Sequence, residues 1–290
     1  MASYITLTSD SALETYPDNR IGSFRCVLPS SLHLDRQRHQ IGLSYVSWPH
    51  RYMNVEDGRF NLRLSSKPSP KPGAVWAPGD KPKSNIFESG GREVSQVVNT
   101  SVQSGYYPDV ATLCGAINDK IGVADFSKPA LSAVPKTPWR FSYNEVTERC
   151  TFYIKGSSDF AMRLKLSREL HTKLGFGAVR AGNIPWLSTE STGVETADIT
   201  SGKNALFIYV DVIEPNRICG NTMTSLMKIV PFTGQHGEVA HFEPHTIEYC
   251  DLRYDDIREI KVDLVDDTGE VVKFTSGKVF VTLHIKDRFA

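Results

Sequence analysis

From Ile257 to Lys286 the chain alternates apolar and polar residues with a period of two. Ile260, Val262 and Leu264 fall on one side of the first run, and Lys261 and Asp263 on the other. A strand with one face in a core and one in water has this pattern. Asp266, Asp267, Thr268 and Gly269 follow and predict a turn, because Asp bonds its own backbone and Gly accepts positive φ. A second turn signal, Ser276-Gly277, precedes a run in which Val279, Val281, Leu283 and Ile285 alternate with Phe280, Thr282, His284 and Lys286. Two such strands need a sheet to join, and that requirement constrains the rest of the chain.

The preceding sequence offers strands of the same kind. Runs at 21–29, 39–50, 60–64, 141–143, 150–154, 160–166, 206–213, 225–232 and 245–252 are apolar or alternating, and Pro or Gly closes several of them. The residues before Ile21 read as a short polar lead. Two helices are predicted. Asp109 caps a run in which Val110, Leu113, Cys114, Ile117 and Ile121 recur at helical spacing, with Gly122 as its stop. Ser167 caps a shorter one, with Leu170 and Leu174 inward and Gly175-Phe176 at its end. Helices do not alternate with strands, which argues against a parallel βαβ sheet. The spacing suits an all-β sandwich or barrel.

Composition narrows the function classes. Thirty-three basic residues balance thirty-three acidic ones, which makes nucleic acid an unlikely main partner, since phosphate binding wants a basic surplus. Hydrophobic residues make up 40% and charged residues 23%, ordinary for a globular chain. No apolar run reaches the length of a membrane span. The N-terminus lacks the basic and apolar regions of a signal peptide, so synthesis without export, in a reducing compartment, is expected. Five widely spaced cysteines then read as reduced, buried thiols.

Two stretches depart from the strand pattern. Residues from Ser65 open a Pro/Lys-rich insertion expected to run to about 108, dense in Pro, Lys, Ser and Gly as far as Asn85. Its Lys67, Lys71, Lys81 and Lys83 make it locally basic, and Trp76 is its one residue able to anchor a contact. It reads as a solvated arm or as a contact to an acidic neighbour or nucleic acid. A Gly/Ser/Thr-rich loop is expected at about 177–203, anchored by Trp186. These six residues are the candidate interface positions.

Catalytic motifs are absent: there is no GxSxG nucleophile elbow and no P-loop. His236, His241, His245 and Cys250 are residue types that bind zinc, but their spacing fits neither a zinc finger nor an HExxH helix. Asp251, Asp255, Asp256, Asp266 and Asp267 are explained by turns more simply than by a cation. No catalytic residue, metal ligand or cofactor is assigned, and the chain is read as not being an enzyme.

Four stretches, taken in order, resemble the minor capsid, or penton, proteins of Polinton (Maverick) elements, adintoviruses and related viruses. They are 3–55, with a strand ending in Leu28-Pro29 and a Gly42-Leu43 strand leading to Pro49 and Asn54-Val55; 166–176, a short helix ending in Leu174-Gly175-Phe176; 206–230, a Tyr209-Val210 strand running to Glu214-Pro215 and then to Ile229-Val230; and 257–285. Cys219-Gly220-Asn221 stands where that family has a Gly-Asp pair. The resemblance implies an antiparallel jelly-roll sandwich as a single domain over 1–290, with insertion loops and two short helices. It also implies homopentamers at the fivefold vertices of an icosahedral virion, partnered with the major capsid protein of the same virus and with a possible host receptor. The alternatives are a jelly-roll module binding carbohydrate or a receptor through Trp76 or Trp186, and a cupin-like metalloenzyme built around His241.

Overall fold

A computed structural model describes residues 3–66, 95–122, 139–154, 160–177, 184–188, 191–200, 203–215 and 217–289. The chain opens with β1 (Ser3–Thr8), β2 (Ser23–His33) and β3 (His39–Pro49). There follow β4 (Arg59–Ser66), β5 (Ser95–Ser101), α1 (Val110–Gly122), β6 (Trp139–Asn144), β7 (Arg149–Ile154), β8 (Phe160–Leu166), α2 (Arg168–Lys173), β9 (Leu187–Ser188) and β10 (Ser191–Thr192). The remainder is β11 (Ala205–Val210), β12 (Arg217–Cys219), β13 (Thr222–Thr224), β14 (Leu226–Pro231), β15 (Val239–Phe242), β16 (Tyr249–Asp251), β17 (Asp256–Val265) and β18 (Phe280–Asp287). All the strand pairings are antiparallel. The fold is all-β with two short helices.

The chain divides into two compact units, Met1–Met53 with Thr200–Ala290, and Asn54–Ile199. In the first unit one sheet has the order β1-β18-β3-β15, with β16 also pairing β3; the other has the order β14-β11-β17-β2. Let β15 and β16 count as two halves of one strand. Apart from the separate ribbon of β12 with β13, the two sheets then hold eight successive strands, ordered one-eight-three-six in the front sheet and two-seven-four-five in the back sheet. That connectivity is a jelly roll.

The alternation seen in the sequence sets which side chains face inward. Val279, Val281, Leu283 and Ile285 are buried from β18 and its approach, Ile41, Leu43, Val46 and Trp48 from β3, and Ile260, Val262 and Leu264 from β17. The turn after β17 forms as its residues dictate. The Asp266 carboxylate accepts from the Thr268 and Glu270 amides at 3.0 and 3.1 Å, and Gly269 takes φ +87. β1 was missed in the sequence, where it read as a polar lead. It is an edge strand on which only Leu7 is buried, so its alternation is faint.

The second unit has its own core. A sheet ordered β5-β4-β8-β9 and another ordered β10-β7-β6 enclose Phe60, Leu62, Phe141, Phe152 and Leu164 together with one face of each helix. The buried residues of α1 are Val110, Leu113, Cys114, Ile117 and Ile121, the predicted stripe, and Asp109 caps it by accepting from the Thr112 amide at 2.6 Å. Asn118 pins α1 to β6 by bonding both the amide and the carbonyl of Phe141, at 2.7 and 2.9 Å. α2 ends as its sequence predicts, with Gly175 at φ +78 and the Phe176 amide donating to the His171 carbonyl at 3.0 Å.

Where a single domain over 1–290 is expected, the strands of 54–199 close a core among themselves, and the Met53-Asn54 junction carries no linker composition. The insertion expected to reach 108 contains β5, which pairs along its length with β4, and then the start of the segment leading to α1.

Candidate assembly surface

In the jelly-roll unit the two outer faces differ in chemistry. The back sheet shows water a set of charges paired within the subunit. Arg25 bonds Glu259 at 2.9 Å and lies over the Tyr16 ring, while Lys261 bonds Asp263 at 2.7 Å. Asp211, just past β11, accepts from the Lys261 amide at 2.8 Å, and burial raises its carboxyl above the ordinary range. These groups satisfy one another, as expected of a face meant to stay solvated.

The front sheet carries rings and hydroxyls. Its register sets out rows across the strands: Tyr4, His284, Gly42 and Tyr249; then Thr6, Thr282 and Tyr45; then Thr8, Phe280, Ser47 and His241. None of these is a carboxylate, ammonium or guanidinium. Tyr4 and His284 have ring centroids 4.6 Å apart, and the Tyr249 hydroxyl meets His284 Nδ1 at 2.8 Å. Lys286 Nζ sits 4.0 Å from the Tyr249 centroid, a cation over a ring face. Thr6 and Thr282 share a hydroxyl bond of 3.2 Å, and Tyr45 stacks on His241 at 6.3 Å.

Gly42 makes the first row possible. A Cβ there would lie 2.4 Å from Ile247 Cγ2 and 2.6 Å from the Glu248 carbonyl oxygen, so a side chain would push β16 away. Charges return at both ends of the face: Asp10 pairs with Lys278 just beyond Thr8 and Phe280, and at the His39 end Arg38 bonds Asp287 at 3.0 Å and Asp251 takes Gln40 and Arg288. An uncharged centre rich in Tyr and Phe is the composition found at the middle of protein interfaces.

Of the residues singled out in the sequence, His241 belongs to these rows. Trp186 is half-buried just before β9, in the second unit. Trp76, Lys67, Lys71, Lys81 and Lys83 lie outside the described residues. His241 stacks on Tyr45, His236 meets the Tyr52 ring edge-on at 6.3 Å, His245 is exposed, and Cys250 is buried in β16. Among the described residues no three His, Cys, Asp or Glu side chains are placed to hold a metal ion. Asp255 accepts from the Arg36 amide at 2.9 Å, Asp256 pairs with His33, and Asp267 accepts from Asn204 at 3.2 Å.

Four of the five thiols are buried and Cys219 is half-buried. Cys114 and Cys150 approach to 3.7 Å between sulfurs, and this contact together with burial pushes the Cys114 thiol far up. His50 was missed in the sequence. It is buried just past β3 against Phe232 and Tyr52, with ring centroids 4.9 and 5.2 Å away and, among the described residues, no partner for Nδ1. Burial, then the nearby His236, holds its imidazole below the ordinary range. An open hollow of about 520 Å³ lies between the segments 20–22 and 270–274. Arg20, Lys273 and Glu270 line it along with Val271 and Phe274, and they converge on no reacting point. No helix among the described residues is long and apolar enough to cross a membrane.

Comparison with known proteins gives likeness to solved structures. No family model matches the chain, and no curated protein does. Among solved structures, this chain is similar to a mavirus penton protein. The likeness spans 99% of this chain and 100% of that one, with a TM-score of 0.48 and 9% sequence identity. No residue role is transferred across that distance.

Proposed function

We propose that this chain is a viral structural protein, a penton or minor capsid subunit. In this reading five copies close around the fivefold vertices of an icosahedral capsid, where they meet the major capsid protein and are placed to meet a host receptor. The observation that carries the reading is the complete jelly-roll strand order of the first unit. Of the four stretches that resemble penton proteins, 206–230 and 257–285 and nearly all of 3–55 build that unit, and 166–176 supplies α2 of the second.

Such a protein works by shape. A ring of identical subunits requires contacts whose rotation closes after five copies. A net charge of zero keeps like subunits from repelling strongly as they gather. The uncharged front face offers a surface for that contact, whereas the back face has its charges already paired. Electron microscopy of the purified protein tests the proposal: rings with fivefold symmetry are expected. Particles that stay single at every concentration, or that close as trimers, would reject it.

A further inference from the structure

The connection between β11 and β14 holds a two-stranded ribbon, β12 with β13, which among the described residues pairs with no other strand. Ile218 and Met223 are direct cross-strand partners, so both side chains leave the ribbon on the same side, exposed by 76% and 60%. A ribbon of three-residue strands has no core of its own. It is nevertheless held in place. Gly220 takes φ +61 at the first central position of its two-residue turn, as a type II′ hairpin requires. At its base Arg217 bonds Glu248 at 2.8 Å, and Lys228 of β14 bonds the same carboxylate. The ribbon therefore stands on the flank of the sandwich formed by β14 and β16.

The opposite flank is formed by β1 and β2, the other outer strands of the two sheets. Exposed strand edges are ordinarily guarded by charges or Pro. The back sheet follows that rule, with Pro29 and Arg25 in β2 and Pro231 in β14. β1 does not: its six residues include no charge and no Pro. Beside its open edge Tyr4 is 65% exposed and Phe280 of β18 is 39% exposed, with only threonines between them on that face.

The geometry points to one contact between copies of this chain: the Ile218–Met223 side of the ribbon packs against the β1 flank of the next copy, over Tyr4 and Phe280. This rests on the penton reading and specifies how its ring closes. Two different uncharged patches on opposite flanks of one unit are what a head-to-tail contact needs. Each copy gives its ribbon to one neighbour and receives a ribbon from the other. A twofold dimer would bury one patch twice and leave the second in water. Covering Tyr4 and Phe280 from their present exposure removes on the order of 200 Å² from water, part of the ~800 Å² per partner of a standard interface. These rings and the two ribbon side chains form its centre, and the threonines and the open edge surround them.

The test uses two full-length variants, Ile218→Asp with Met223→Asp, and Tyr4→Asp. All three positions are exposed, so each chain should fold, as circular dichroism and melting will verify. Versions with Ser in place of Asp repeat the experiment with less disturbance. Each variant alone should associate at least about a hundredfold more weakly than the wild type, as loss of central interface anchors does. Mixed in equal amounts, the two still share one intact ribbon and one intact β1 flank. Sedimentation at high concentration should then show a one-to-one heterodimer and nothing larger. Wild-type rings that persist in either folded variant would overturn this contact and leave the penton reading standing. So would two monomeric variants that form no heterodimer when mixed. A wild type that never leaves the monomer would remove the penton reading and this contact with it.

Discussion

Gly42→Ala should loosen the front face by an amount that can be worked out from its surroundings. The new methyl would meet Ile247 Cγ2 at 2.4 Å and the Glu248 carbonyl oxygen at 2.6 Å. The second of these is backbone and cannot rotate away, so β16 must move outward. Overpacking of this kind costs about 1–3 kcal/mol. The same movement draws the Tyr249 hydroxyl off His284 Nδ1, now 2.8 Å away, and loses a hydrogen bond worth about 1 kcal/mol. The sum, about 2–4 kcal/mol, corresponds to a melting midpoint lower by roughly 5–15 °C for a chain of this size. A double-mutant cycle sharpens the assay. Tyr249→Phe should cost about 1 kcal/mol in the wild type and almost nothing beside Gly42→Ala, because the bond is already broken there. A Gly42→Ala protein within about 0.5 kcal/mol of wild type, or additive costs in the cycle, would refute the reasoning.

Three further outcomes follow from the same coordinates. Val281→Asp places a charge in the core of the jelly-roll unit and should cost several kcal/mol even after relaxation, so unchanged soluble yield and melting would mean the inward face of β18 is misassigned. His50 and, in the second unit, His171 are both held below the ordinary imidazole range, chiefly by burial. A depressed His binds its proton more readily when unfolded, so stability should be steady above about pH 6.5 and fall below it, at up to roughly 1.4 kcal/mol per pH unit per group. His50→Phe should shallow that decline measured by melting between pH 7.5 and 5, and an unchanged slope would count against it. Cys114, buried with its thiol pushed up, should resist a thiol reagent in the native protein and react on unfolding; rapid native labelling at Cys114, located by mass spectrometry, would contradict its packing.

The sequence showed most clearly those elements whose burial is one-sided and complete. β17 and β18 alternate because one face of each is in the core, and α1 shows its stripe because its five buried residues recur at helical spacing. Where burial is partial the signal fades. β1 hides behind Leu7 alone, and β15 places Val239 and His241 outward, so its stretch showed no strand alternation. The division into two units left no trace, because strands closing either core obey the same period. The uncharged face was illegible for a different reason. Tyr4, Tyr249 and Phe280 are far apart in the chain, and only the register of β1, β18, β3 and β16 brings their rows together. His50 likewise acquires its buried setting from Phe232, a residue of another strand's end. Trp186, expected as the anchor of its loop, lies half-buried just before β9 in the second unit.

The central claim is that this chain closes into fivefold rings, and the mass of its native assembly tests it most directly. Native mass spectrometry of the full-length protein, over a concentration series, should show a species five times the monomer mass that grows at the monomer's expense. A protein that remains monomeric throughout, or one whose closed assembly holds two, three or six copies, would contradict the account.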